Sequence, residues 1–425
     1  MRTRMASFST LAVTGVLILG GARAVSAQQV VKLAEGETLT ISGFISATLF
    51  NDRGLFSSFG QGQNAEIAAC PVPIPGCTGQ PGANRGIFDG DVRNTRINFT
   101  FNAPPVLGKW APRATIEADF FGAFNGNPPF GDEQPQMRIR FAYVDLSNGR
   151  TTVRIGQYWS PLFGETPVSL THLAFPVGYG SAGKIGWRYP GIFIYHDLTV
   201  GKPVNFQLQL AAFKGSGPFA AGNARDSTNL IGNGEASGLP ELEALLNFSK
   251  RSATLSWSGY VVGHLDWKDT TGTGVAGANA TSWGVEAGLN VAPSKLTLHG
   301  NVYYGKGLGQ QFGHISQDGR PVATAGGAAA AVRIRGWGAW AQAGYDFDPH
   351  WGLWAFYGMD QPDAARYTNE TGLTLTRQLN HVSDALLRYR AGRYALGVEW
   401  FRAVTRYSAG PASADQVALS VLYTL

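Results

Sequence analysis

Leu39-Thr40-Ile41-Ser42-Gly43-Phe44-Ile45-Ser46-Ala47-Thr48-Leu49 decides the fold. Leu39, Ile41, Gly43, Ile45, Ala47 and Leu49 fall on one side, and Thr40, Ser42, Ser46 and Thr48 on the other. A repeat of two residues is the strand repeat, because successive side chains leave a strand on opposite faces. A tilted segment of about ten residues is also long enough to cross the hydrocarbon of a bilayer.

The alternation recurs along the chain. It runs through Ile97/Phe99/Phe101, Ala114/Ile116/Ala118/Phe120, Met137/Ile139/Phe141/Tyr143 and Phe206/Leu208/Leu210/Ala212. It continues through Leu242 to Phe248, Leu255 to Val261, Trp283 to Val291 and Leu296 to Tyr304. It ends with Trp337 to Tyr345, Trp351 to Tyr357, Tyr394 to Trp400 and Val417 to Leu425. The expected strand count is about sixteen. Turns between paired strands are short: Ser147 to Arg150 with its Asn-Gly, Ser249 to Ser252, Ala292 to Ser294, Asp346 to His350 and Arg390 to Gly392. Residues 51–92, 122–136, 159–182, 214–240, 268–280, 305–332, 360–379 and 406–414, rich in Gly, Pro and Asn, read as eight long loops on the opposite end. That asymmetry predicts an all-β transmembrane antiparallel barrel with short periplasmic turns and long extracellular loops. Closure is required because no water in the hydrocarbon satisfies an open strand edge.

Aromatic placement separates lipid from a protein core. Trp257 and Trp267 lie ten residues apart on one outward face. Trp283, Tyr304, Trp337 and Trp400 are expected at loop-side strand ends. Tyr345, Trp351, Tyr389, Tyr394 and Tyr423 are expected at turn-side ends. Two such belts fit a membrane interface contacting lipid and lipopolysaccharide.

Residues 1–27 read as an export signal: Arg2 and Arg4, an apolar run from Leu11 to Ala22, and small residues at Val25-Ser26-Ala27. Residues 28–38 then form a short periplasmic segment, and 39–425 the outer-membrane barrel. Without the first 27 residues, 31 basic side chains face 29 acidic ones, so nothing suggests a nucleic-acid partner. Charged residues at 15% with 44% hydrophobic ones exclude a disordered chain. Cys70 and Cys77 bracket a Pro-rich turn and could close a small disulfide loop, as an exported chain permits.

With one face assigned to lipid, the other lines the interior. Arg96, Arg113, Arg138, Arg140, Arg154, Lys184 and Arg188 face inward on the first strands, with only Glu117 and Asp119 as inward acids. Later strands bring Glu241, Glu243, Asp266, Glu286, Asp384 and Glu399 inward against Arg388. The expectation is a basic wall across from an acidic one. The two walls orient water and polar solutes, or their charges pair around the wall and stiffen it. The third loop, 159–182, starts Tyr158-Trp159-Ser160-Pro161-Leu162-Phe163-Gly164-Glu165 and is aromatic and Pro-rich, which is unusual for a solvated loop. It is expected to fold inward as a constriction, with Glu165 opposite the arginines, or to lie over the mouth as a lid.

Four segments carry a resemblance: Asp91-Val92-Arg93-Asn94-Thr95-Arg96, Glu117-Ala118-Asp119-Phe120-Phe121-Gly122, Arg138-Ile139-Arg140-Phe141-Ala142-Tyr143-Val144 and Ile155-Gly156-Gln157-Tyr158-Trp159-Ser160-Pro161. The chain resembles the trimeric Gram-negative general porins, and over residues 91–190 is similar to their DcaP-like branch. The resemblance implies a homotrimer that admits dicarboxylates and related small anions. It also implies an anion-attracting constriction at Arg96, Arg138, Arg140 and Arg154. That branch often carries an amino-terminal coiled coil where this chain has only Gln28 to Thr38. The chain also ends in Leu425 where porins usually end in Phe, although Leu419, Val421 and Tyr423 keep the terminal alternation.

Other signals point nowhere further. Gly272-Thr273-Gly274-Val275-Ala276-Gly277 fits a nucleotide fingerprint but lies between strands with no helix following. No H-x-x-x-H or H-E-x-x-H spacing exists, so neither a metal nor another cofactor is expected. A barrel hydrolase would need a Ser/His or Asp/His set; His264, His299 and His350 have possible neighbours, but no motif links them to a nucleophile. The remaining alternative is a closed barrel serving as adhesin or receptor.

Overall fold

The computed structural model describes residues 29–54, 56, 66–70, 85–122, 135–215, 232–252, 254–269, 279–323 and 329–425, the side chains of 320–331 excepted. The export signal (1–27), Cys77 and the 272–277 glycine motif lie outside them. The strands are β1 (Gln29–Ala34), β2 (Glu37–Arg53), β3 (Gly86–Asp91), β4 (Arg96–Asn102), β5 (Ala111–Asp119), β6 (Arg138–Ser147), β7 (Thr151–Trp159), β8 (Arg188–Asp197), β9 (Asn205–Phe213) and β10 (Glu241–Lys250). Next come β11 (Leu255–Asp269), β12 (Asn279–Pro293), β13 (Leu296–Lys306), β14 (Gly319–Ala323), β15 (Ala329–Arg333), β16 (Arg335–Asp346), β17 (Trp351–Pro362), β18 (Arg377–Ala391), β19 (Tyr394–Tyr407) and β20 (Gly410–Thr424).

Each strand pairs antiparallel with its chain neighbour, and β20 returns to β2 from Phe44↔Thr424 to Arg53↔Asp415. The sheet is therefore a closed antiparallel barrel of sixteen staves. β3 and β4 count as one stave, because both lie along the same edge of β2 with a break at 92–95. On the other edge of β2, β1 pairs with residues 37–41 beyond the end of β20. Leu425 N donates to Gly43 O at 3.0 Å where the two meet. β2 thus begins at Glu37, two residues ahead of Leu39, and the segment before it contributes β1.

Burial is inverted relative to a water-soluble protein. Ile45 and Leu49 are 54% and 52% exposed, whereas Ser46 and Thr48 between and beside them are 1% and 2% exposed. The same inversion covers Ile116, Ile139, Val144, Ile192, Val285, Leu353, Val398 and Leu419. An exposed apolar band this continuous is stable only against acyl chains. Tyr304, Trp337, Tyr345, Trp351 and Tyr394 are all exposed on it. Trp400 departs from its expected belt, since it sits in the middle of β19.

Two expectations need correction. Phe141 and Tyr143 do not join Ile139 on the lipid face. Across from β6, Glu117 pairs with Phe141 and Ala118 with Ile139, so Arg140 is the extra residue of a β-bulge. The bulge flips side-chain parity. Arg138 and Arg140 on one side of it, and Phe141, Tyr143 and Asp145 on the other, therefore all turn inward. The inner wall of β6–β9 gains an aromatic cluster of Phe141, Tyr143, Tyr158, Tyr189, Phe193 and Phe213. Second, 406–414 is no long loop: β19 and β20 pair up to Tyr407↔Gly410, leaving a tight turn. Among the described residues, seven longer connections between barrel strands remain. One carries the β14–β15 hairpin. Another carries α1 (Asn233–Ala236), and a third α2 (Ala364–Thr371), capped by the Asp363 side chain accepting from Arg366 N.

Candidate functional site: the inward loop and its charged seat

The segment after β7 turns inward on a 3₁₀ turn, Pro161–Phe163, started by a proline at the first helical position. From there its backbone follows the inner wall. Leu162 N donates to Glu243 on β10 (2.7 Å) and Glu165 N to Tyr260 on β11 (3.1 Å). Val168 exchanges two bonds with Gln342 on β16, at 2.7 and 2.8 Å. Ser169 Oγ, Leu170 N and Thr171 N all donate to Glu399 on β19, at 2.5, 3.1 and 3.0 Å. Asn94 clamps the next turn, donating to Thr171 O and accepting from Ala174 N at 2.8 Å each. Arg96 then donates to Leu173 O (2.8 Å) and Arg140 to Ala174 O (3.3 Å).

The order has a simple electrostatic logic. The acidic side of the barrel receives loop N–H groups, and the basic side receives loop carbonyls. Buried backbone groups must find partners, and charged partners give shorter, stronger bonds. The opposed walls read from the sequence are therefore, in large part, the seat on which this loop docks. The returning half is held by Glu66, which accepts from Gly178 N (2.7 Å) and Ser181 Oγ (2.5 Å). Apolar packing completes the seat: Leu162 and Ile185 against Tyr260, Val262 and Tyr303, and Val177 and Ala182 against Trp340, Phe356 and Phe401.

The seven inward cations separate into three places. Arg96, Arg138, Arg140 and Arg188 gather where the loop passes residues 173–174. Arg140 bonds Glu117 at 2.8 Å and Asp119 at 2.9 Å, Arg138 bonds Asp119 at 2.7 Å, and Arg96 lies 3.7 Å from Glu117. Arg188 is buried against the rings of Trp159 and Trp187, at 4.5 and 4.4 Å. Its Nη1 and the Nε of Arg96 have no hydrogen-bond partner. Four guanidiniums against two carboxylates leave this cluster at +2. Arg138 and Arg96 are its partly exposed members, with side chains 19% and 16% accessible.

Arg154 does not belong there. It is held by Asp145 at 2.8 Å and stacked between Tyr143 and Tyr158, at 3.8 and 3.9 Å. That is five residues down the strand from Trp159, roughly 16 Å at the strand rise. Arg113 pairs in register with the same Asp145. Lys184 is not on a strand at all. It is buried in the loop with its Nζ 3.4 Å from the Phe163 ring centroid. Burial pulls its ammonium down to about 7, against the charges of Glu286 and Glu165. Glu165 lies away from the arginines too, accepting from Asn290 (2.9 Å) and bonded to His299 Nδ1 (3.0 Å). Inward acids on the basic side are more numerous than expected, since Asp91 pairs with Arg93 and Asp145 with Arg154.

Several working residues carried no sequence signal. Asn94 and Gln342 are neutral amides on a polar face, and their clamping role appears only with the loop in place. His172, buried and stacked on Phe401 at 4.9 Å, lies 3.6 Å from Glu66 and 4.0 Å from Glu399. Burial holds it down to about 4. Glu241, His264 and Asp266 also converge, which helical spacing rules do not detect. Cys70 is buried and disulfide-bonded.

A closed sixteen-stave barrel with a greasy exterior, a charged interior and an infolded third loop is the fold of an outer-membrane porin. Among solved structures, the outer-membrane channel DcaP of Acinetobacter baumannii aligns over 93% of this chain and 99% of its own, with a TM-score of 0.65 at 18% identity. An anion-selective porin from Comamonas acidovorans aligns over 92% and 100%, with a TM-score of 0.54 at 11% identity. OmpF of Salmonella typhi aligns over 93% and 100%, with a TM-score of 0.52 at 12% identity. No family model matches the chain, and no curated relative does. The barrel thus has a porin-like fold.

Proposed function

We propose that this protein is a passive diffusion channel for small hydrophilic solutes, with a preference for anions such as dicarboxylates. In this reading it is exported by a cleaved signal peptide, works as a homotrimer in lipid and lipopolysaccharide, and carries no catalytic chemistry. The observation that carries the reading is the positive excess of the arginine cluster over Glu117 and Asp119. Glu243, Glu286, Glu399 and Asp360 are engaged by loop or wall donors. The arginine cluster keeps an excess of two positive charges and unpartnered N–H groups at the level of residues 173–174. An anion passing there meets the partly exposed guanidiniums of Arg138 and Arg96.

An enzyme reading finds no support in the histidines it would need. His264 bonds two carboxylates, His299 bonds Glu165 and Gln342, and His350 bonds the Arg390 carbonyl. One observation favours a closed barrel, the second reading: Arg140 and Arg188 are only 2% and 4% exposed. Two measurements decide. Liposomes loaded with the purified protein should swell in small sugars and amino acids; absence of swelling supports the closed barrel. In planar bilayers under a KCl gradient, the reversal potential should report anion preference. Arg138→Glu with Arg140→Glu turns the cluster from +2 to −2 and should reverse its sign. An unchanged reversal potential in the folded double variant rules out the cluster as the selectivity element, and Arg138→Gln, which lowers the cluster to +1, should shift the reversal potential toward zero with less risk to folding.

A further inference from the structure

Near the loop-side ends of β10 and β11, two rows of polar side chains face the lumen side by side. Glu241 and Glu243 alternate on β10, and His264, Asp266 and Lys268 alternate on β11, with Glu243 in register with His264. All five are buried, none more than 4% exposed. Glu243 Oε1 lies 2.8 Å from His264 Nδ1, and Asp266 Oδ2 lies 3.1 Å from His264 Nε2. Lys268 Nζ takes the same Asp266 Oδ2 at 3.1 Å and lies 3.7 Å from Asp318, which Arg333 holds at 2.8 Å. Gln311, from the loop after β13, donates to Glu241 Oε2 at 2.6 Å. Asp266 Oδ1 is buried with no hydrogen-bond partner. One donor atom each from Glu241, His264 and Asp266 fall within 4.8 Å of one another.

We propose that Glu241, His264 and Asp266 form a binding site for one divalent transition-metal cation, with Glu243 orienting the histidine. Glu243 accepts the Nδ1 proton, which leaves the Nε2 lone pair directed at Asp266; this is how carboxylates position metal-binding imidazoles. A lone pair facing a carboxylate oxygen at 3.1 Å is repulsive unless positive charge lies between them. A metal ion held on that lone pair supplies the charge. Asp266 Oδ1 supplies an unused oxygen, because Lys268 occupies only Oδ2. One nitrogen and two carboxylate oxygens suit zinc and its neighbours better than magnesium or calcium, which favour all-oxygen shells. The charge balance agrees. Glu241, Glu243, Asp266 and Asp318 against Lys268 and Arg333 leave −2 with the imidazole neutral. Bonds of about 2.0–2.2 Å bring ligand atoms to roughly 3.5 Å. The site therefore closes by rotation of Glu241, releasing Gln311 from the wall.

The test uses the full-length processed protein in detergent, stripped with a chelator and titrated calorimetrically with ZnCl2 in excess MgCl2. One zinc per chain is expected. His264→Gln and Asp266→Asn should each weaken it at least about tenfold, while His299→Gln should leave it unchanged. X-ray absorption at the zinc edge should show a single imidazole. Absence of stoichiometric zinc, displacement by magnesium, or undiminished binding in His264→Gln overturns the assignment. Should His264→Gln fail to fold by heat-modifiable gel mobility, Glu241→Gln gives the same reading from the other strand.

Discussion

Replacing residues 162–176 with a short Gly-Ser linker should raise single-channel conductance several-fold and admit larger sugars in swelling assays. The segment touches β10, β11, β16, β19, the 94–96 corner and β6 in turn, so it occupies cross-section around most of the inner circumference. Ion flow through a water-filled pore grows with the open area at its narrowest level. The barrel itself should survive, because its backbone pairing closes on itself without the loop. Glu243, Gln342 and Glu399 lose their loop partners but gain water, so no buried charge is stranded. Thermal stability should fall, since Trp354 and Leu386 would trade contact with Val168 and Leu170 for solvent. An unchanged conductance would place the constriction elsewhere, most directly at the loop 307–318 that packs Leu308 into the same interior cluster.

The barrel was legible because lipid enforces one rule over each membrane-crossing segment: apolar out, polar in. Where strands rise beyond lipid, the rule lapses while the pairing continues. Ala412 and Ala414 turn inward and Pro411 and Ser413 outward on a strand surrounded by water. That is why β20 read as a loop before Val417. Charges inside the crossing segments were legible for the same reason. Arg96, Arg113, Glu117, Asp119, Arg138, Arg140, Arg154 and Arg188 all face inward, since none of them is tolerated against acyl chains. Partner choice was not legible. Asp145 was assigned no inward role because the bulge at Arg140 changes which parity faces the lumen, and a bulge leaves little trace in a pattern of period two. The positions of Glu165 and Lys184 carry no such signal, because a loop's path is set by tertiary docking, not by alternation. The trio Glu241, His264 and Asp266 escaped because ligand spacing in a sheet is i, i+2 on one strand plus a register neighbour on the next.

Glu399→Ala should release the inward loop without opening the barrel. One carboxylate accepts Ser169 Oγ, Leu170 N and Thr171 N, and Ser169 Oγ in turn accepts from Thr171 N at 3.0 Å and His172 N at 2.7 Å. Hydrogen bonds to a charged acceptor contribute about 1.5–3 kcal/mol each, and orphaned buried donors cost more than the bond returned. Part of that loss is offset, because Glu399 lies beside Asp384, another buried carboxylate, and its removal relieves a like-charge contact. Even a net loss equal to one such bond moves the docked-to-undocked ratio by about tenfold or more. Limited proteolysis within 166–182 should therefore speed up by at least that factor, and open-channel current should become noisier. Glu399→Gln retains an acceptor oxygen for the two backbone donors and should recover most of the protection. Equal proteolysis rates in the wild type and Glu399→Ala would mean that the remaining anchors, Glu243, Gln342, Asn94 and Glu66 among them, hold the loop without Glu399.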